Sequence, residues 1–436
     1  MTRRPGTARR LLFPLLATAL ALGGLTACGS STGATVTSGL TSRGPVTVWA
    51  GPLPSEVSWT QKVAARWNRA HPREKVTVTA LPASRSTEEV LTAAITAGNT
   101  ACLVNNTSPA AVPDFRRMGG LVPLDSFPGA ADAIEKRVGA GAAQYRSQDG
   151  HYYQFPWKQN PAMLYYNKKV FRDAGLDPDD PGLETWDGFL KAARAVREAG
   201  AAQAAVWPPP TGEWYNAWFD FYAFSTAQTG QRLVEHGTPT FTSKDGLAVA
   251  GLWRELYAEK LAPVEGYPGS DAFADGKAAM AVWGSDLLPS YRSAKLDYGV
   301  VPVPTRDGSV LGRTPSFSNE KSWGLFSACR NKATAWSFLD WATSPAHDEQ
   351  LLEETGELPV RAGLGERYAA FFTRHPELKP FAEQARHTVE VPDVVAGVDV
   401  WTAFRAAWQT SVVFRKTSVE SAFRKAADQV GEITGP

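Results

Sequence analysis

Cysteine, histidine and methionine are scarce: 436 residues carry only 3, 6 and 4 of them. The histidines, His71, His151, His236, His347, His375 and His387, are scattered with no spacing that suggests a metal site or a general base. No zinc pattern and no phosphate-cradling glycine loop occurs, so neither a metal nor a cofactor is expected. Charge of one sign is also missing, since 45 Lys+Arg face 44 Asp+Glu for a net of +1. That balance gives no electrostatic case for nucleic acid or an anionic membrane surface, and it disfavours a polyanionic ligand. No repeat of solenoid length is present. Residues 29–33 (GSSTG) match G-x-S-x-G, but nothing before them supplies the strand that a nucleophile elbow needs.

What is present begins with an address. Arg3, Arg4, Arg9 and Arg10 precede an apolar run at residues 11–25 that is too short for an ordinary membrane span. It ends in Leu25-Thr26-Ala27-Cys28, which resembles a bacterial lipobox, so residues 1–27 are expected to be a signal peptide and Cys28 to carry lipid. Export by the general or the twin-arginine route is left open. Residues 28–44, rich in Ser, Thr and Gly, read as a flexible tether.

The mature length suits two lobes of ordinary domain size. From Pro45, strand and helix alternate: strands at residues 45–50, 75–80 and 101–105, helices at 56–70 and at 87–97, the latter capped by Thr87 and closed at Gly98. That order predicts a parallel sheet with ligand at the carboxyl ends of its strands, where Trp49, Asn105 and Asn106 fall. Further helices are expected at residues 186–199 behind the capping Thr185, and around 245–260, 332–343 and 400–430.

Four stretches then carry a resemblance. Residues 149–156 (DGHYYQFP) with 164–168 (LYYNK), 174–176 (AGL) with 185–189 (TWDGF), and 272–280 (AFADGKAAM) come first. The fourth runs from 335–339 (AWSFL) through 343–345 (TSP) to 356–361 (GELPVR). In this order and spacing the chain resembles the carbohydrate type of extracellular solute-binding protein, of which maltodextrin-binding protein is a familiar member. Thr100-Ala101-Cys102 departs from the Pro-Asp pair that many members have there.

The resemblance implies an α/β, two-lobed, type II periplasmic-binding-protein-like fold with a multi-strand hinge. The first lobe would comprise residues 45–155 and 300–332, the second 156–299 and 333–436, with crossings near 154–157, 298–302 and 330–334. It implies a monomer outside the cell membrane that passes a small sugar to ABC permease subunits and is held to the membrane only by its lipid. Cys102 and Cys329 would fall at strand ends in one lobe, which permits a disulfide; two separate buried thiols are the alternative.

Sugars present hydroxyl edges and apolar ring faces, which aromatic, amide and carboxylate side chains match. Fifteen tryptophans exceed what the core is expected to need. Trp214 and Tyr215, after the proline run 208–210, and Trp283 and Asp286, in the turn where the family binds ligand, are expected in the cleft. Trp401 stands where the familiar relative has a stacking tryptophan. Trp157, Lys158 and Asn160 follow the first crossing, and Ser318, Asn319, Glu320 and Arg361 are further candidates from loop position. Two alternatives stay open: a secreted glycoside hydrolase using Glu213 and Asp286, and a surface sugar sensor.

Overall fold

The computed structural model describes residues 37–435 apart from 52, 82–85, 208–212 and 268–270; Cys28, the leader and the proline run lie outside the described residues. No described helix is long and apolar enough to cross a membrane.

The first sheet has the spatial order Leu358–Pro359, Phe155–Gln159, Lys321–Leu325, Leu103–Thr107, Val46–Ala50, Val76–Ala80. Val46–Ala50 runs parallel to both Val76–Ala80 and Leu103–Thr107, as the alternating strand and helix pattern predicts. Helix Pro54–Ala70 opens on proline and buries Trp59, Val63, Ala64 and Trp67, spaced three or four apart, against this sheet. Helix Thr87–Ala97 is capped by Ser86, one residue before the expected Thr87, and Gly98 closes it in the left-handed conformation.

The second sheet has the order Tyr298–Val301, Met163–Asn167, Ala278–Trp283, Ala204–Trp207. Helix Trp186–Glu198, capped by the Thr185 hydroxyl on the Gly188 N–H at 3.0 Å, covers one face together with helices Phe221–Thr229, Lys244–Ala258 and Gly397–Trp408. The single helix expected around 400–430 is two, Gly397–Trp408 and Val419–Thr434, joined through a π-helical turn at Gln409–Val413. A further core, with Phe371, Phe372 and Phe381, packs around Met163 and Tyr165 from the same sheet.

The lobe boundaries differ from expectation in two respects. Helices Lys332–Ala342 and Pro345–Thr355 belong to the first lobe, because Ala335, Phe338, Leu339 and Leu351 join the core of Trp59 and Trp157. Tyr298–Val301, conversely, pairs with Met163–Asn167 in the second lobe. The crossings therefore move. The first lies at Asn160–Ala162, between strands of the two sheets. The second is at Ser318–Asn319, beside it: Ala162 N–H donates to Phe317 O at 2.8 Å. The third follows Leu358–Pro359, where Val360 N–H donates to Trp157 O at 2.8 Å. The third expected crossing, near 330–334, moves past 359 because the amphipathic stretch at 332–342 reads equally well on either lobe until its packing partners are known.

Cys102 and Cys329 are bonded, joining positions 227 residues apart within the first lobe.

Candidate inter-lobe binding site

The first crossing carries the most connected polar side chain between the lobes. Asn160 Oδ1 accepts from Ser285 N–H at 2.6 Å, from Ser285 O–H at 3.1 Å and from Asp286 N–H at 3.3 Å. Its Nδ2 donates to Asp286 Oδ1 at 2.7 Å. The Trp283 indole N–H reaches Asp286 Oδ2 at 3.4 Å, and Tyr165 O–H donates to Gly284 O at 2.6 Å. Glycine is required at 284, since a Cβ there would meet the Asn160 side chain at 2.1 Å. One amide thus shapes the whole turn at 283–286.

Asp286 is open to solvent, yet the protein crowds its carboxyl. Burial pushes its pKa up, the hydrogen bond from Asn160 opposes this, and Glu357 of the other lobe adds to the rise. A group both accessible and desolvated is what a cleft wall produces. Beside it, Trp283 stacks on Phe219 with ring centres 3.9 Å apart and planes 14° apart. Trp214 is half-buried and edge-on to Trp218 at 5.1 Å, and Tyr215 is 41% exposed.

On the first lobe, Lys158 is buried and paired with Glu56 and, at 2.9 Å, with Glu357. It is not a rim charge. Lys321 stands opposite it in register and donates to Asn319 Oδ1 at 2.8 Å. Burial lowers the Lys321 pKa, with Glu88 opposing and Lys158 reinforcing. Asn319 N–H donates to Asn160 O at 3.3 Å, so the expected Asn319 does lie beside Asn160.

Several expected site residues are structural. Trp157 is fully buried between Trp59 and Trp323, with ring centres at 5.6 and 5.8 Å. Trp401 is buried against Tyr222 and Trp218, at 5.1 and 6.0 Å, and offers no open face. Asn105 braces its own lobe: Oδ1 accepts from Gly51 N–H at 3.1 Å and Nδ2 donates to Thr60 Oγ1 at 3.0 Å. Trp49 packs on the small core around Leu91 and Phe115. Asn106 is half-buried and takes φ 60°, a conformation asparagine tolerates at the end of a strand. Arg361 is engaged by Asp348 and by Thr343 O. Ten of the fifteen tryptophans are buried, so their number reflects core size rather than a cleft lined with indoles.

Glu56, Glu357 and Lys321 were missed. A lysine inside an otherwise apolar strand (residues 155–159, FPWKQ) was the available signal that carboxylates must meet it. Glu213 is exposed at the start of the turn Trp214–Trp218, whereas Asp286 is held by Asn160 and Trp283.

Two lobes, three crossings and a polar turn gripped at the first crossing define a hinged ligand-binding protein. The family model for bacterial extracellular solute-binding protein matches residues 50–349, and the chain belongs to that family. It is similar to the maltodextrin-binding protein MdxE of Bacillus subtilis, 24% identical over 302 residues that cover 66% of this chain and 68% of MdxE. It is also similar to the sn-glycerol-3-phosphate-binding protein UgpB of Brucella abortus, 26% identical over 254 residues, and spans about half of that relative's length (55%). Among solved structures, the cyclic α-maltosyl-1,6-maltose binding protein of Arthrobacter globiformis superimposes with a TM-score of 0.76 at 20% identity, covering 90% of this chain and 99% of that one. The GacH receptor of Streptomyces glaucescens gives 0.73 at 22% identity, covering 90% and 98%.

Proposed function

We propose that this chain is the carbohydrate-binding component of an ABC importer, closing on a small sugar and delivering it unaltered to permease subunits. The observation that carries the reading is the turn at 283–286: an accessible carboxylate beside a stacked indole, held by an amide at the lobe crossing. Those groups match the hydroxyl edge and ring face of a sugar. The turn presents the carboxylate of Asp286 and, in residues 283–286, no cationic side chain, which suits an uncharged polyol better than a phosphate ester. The resemblance to MdxE supports the same choice. In this reading the protein is a monomer without enzymatic activity, exported and tethered outside the cell through lipid on Cys28, and neither the hydrolase nor the sensor reading has an observation in its favour.

Isothermal titration against glucose, maltose, trehalose, maltotriose and sn-glycerol 3-phosphate tests this. A stoichiometric response to at least one sugar is expected. Heat from the phosphate ester alone, or from none of the five, would sink the assignment. Asp286→Ala is expected to weaken sugar binding about 10–100-fold, by removing charge-assisted hydrogen bonds of roughly 1.5–3 kcal/mol. Unaltered affinity in that variant would move the site elsewhere.

A further inference from the structure

Beside the second crossing the structure holds two buried carboxyl groups, one of them the binding candidate Glu320, whose burial takes it off the cleft surface. Glu320 follows the second crossing directly, and it is 1% exposed. Its carboxylate accepts from Tyr145 O–H and from Ser322 O–H, the latter at 3.3 Å. Glu390, 2% exposed, follows the strand Thr388–Val389 of the second lobe. Its side chain meets Ser318 at the crossing, while Oε1 is buried with no hydrogen-bond partner. Residues 144 and 145 of the first lobe touch both: the Glu390 N–H donates to Gln144 Oε1 at 3.2 Å, and Tyr145 is the partner of Glu320.

The charged groups facing this pair are Lys321 and Arg232 toward Glu390, and Arg137 and Lys321 toward Glu320. None makes an ion pair with either carboxyl among the described residues. Arg137 is taken up by Asp348, and Arg232 donates to Gln144 O at 3.0 Å. Two carboxylates sharing a dry enclosure cannot both ionise cheaply. A cavity of about 420 Å³, lined by Gln144, Tyr145, Gln159 and Thr388, opens beside the residues that cover them.

We propose that the Glu320–Glu390 pair makes lobe closure proton-dependent, the closed hinge taking up a proton that the open hinge releases. The direction follows from the enclosure: Gln144 and Tyr145 of the first lobe cover a buried pair that includes Glu390 of the second, so parting the lobes uncovers it. Burial pushes Glu320 up to about 8, and burial together with the charge of Glu320 pushes Glu390 well above the carboxylate range. Opening lets water in and returns both toward ordinary values. The preference for closure is therefore complete below the ordinary glutamate range, weakens as pH rises above it, and is lost once pH passes the closed-state value.

Small-angle X-ray scattering on the ligand-free chain between pH 6.5 and 8.5 reads this without reference to any sugar, so its outcome is separate from that of the functional assignment. The open-to-closed ratio is expected to rise at least about tenfold over that range, one proton per unit being the linkage limit. In Glu390→Gln or Glu320→Gln, which keep shape and remove one titrating group each, the rise should be smaller than in wild type, and in the double variant the ratio should be flat. A flat wild-type profile overturns the proposal whether or not the variants fold. So does a full transition retained in a folded double variant.

Discussion

Asp348→Ala is expected to cost about 3–5 kcal/mol of stability, the range for stranding a buried charge. Arg137 and Asp348 are 2% and 1% exposed, and the two form a bidentate pair with contacts of 2.9 and 3.1 Å. Arg361 binds the same carboxylate, so its loss leaves two guanidiniums facing each other out of water. Burial already pushes the Arg137 pKa down, Asp348 is the main opposing influence, and Arg361 adds to the fall. The remaining Arg137 contacts tie helix Ala130–Val138 to the strand leading into the first crossing, through Pro156 O at 2.7 Å and Trp157 O at 3.0 Å, and to the end of helix Lys332–Ala342, through Thr343 O at 2.7 Å. Urea unfolding followed by tryptophan fluorescence would register the change as a lower midpoint. A loss under about 1 kcal/mol would mean that the cluster is wet and the pair screened.

Replacing both Cys102 and Cys329 by alanine is expected to remove about 2–4 kcal/mol, mainly by releasing the unfolded chain. The closed loop spans 227 residues, long enough for a large entropic contribution. The bond staples the end of Leu103–Thr107 to its neighbour Lys321–Leu325, where Phe326 N–H already donates to Cys102 O at 2.9 Å. Native geometry is therefore held without it, and the folded variant should keep its ligand affinity. Thermal unfolding with and without reductant checks the figure: wild type under reductant should melt like the double variant, and both well below the oxidised protein.

Much of the architecture was legible because it rests on short-range signals. Val46–Ala50, Val76–Ala80 and the helices behind Ser86 and Thr185 follow from alternation and capping that any local window contains. Lobe membership was harder. The buried residues of helix Lys332–Ala342 announce a core but not which one, since that depends on where distant strands pair. The site was read less well for a related reason. Indole rings serve interiors and sugar faces alike, so Trp157 and Trp401 looked no different from Trp283 until their neighbours were known. Asn160 was legible from its position after a strand, but its grip on residues 284–286 comes from more than a hundred residues away.

That grip couples sensing to leverage. The amide that sculpts the ligand's seat sits on the segment about which the jaws rotate, and Gly284 leaves no slack between them. In the proposed reading, a guest pressing on Asp286 would apply its torque at the fulcrum rather than at the end of an arm. Occupancy and rotation would then be one event, reported to a docked permease as a single rigid displacement.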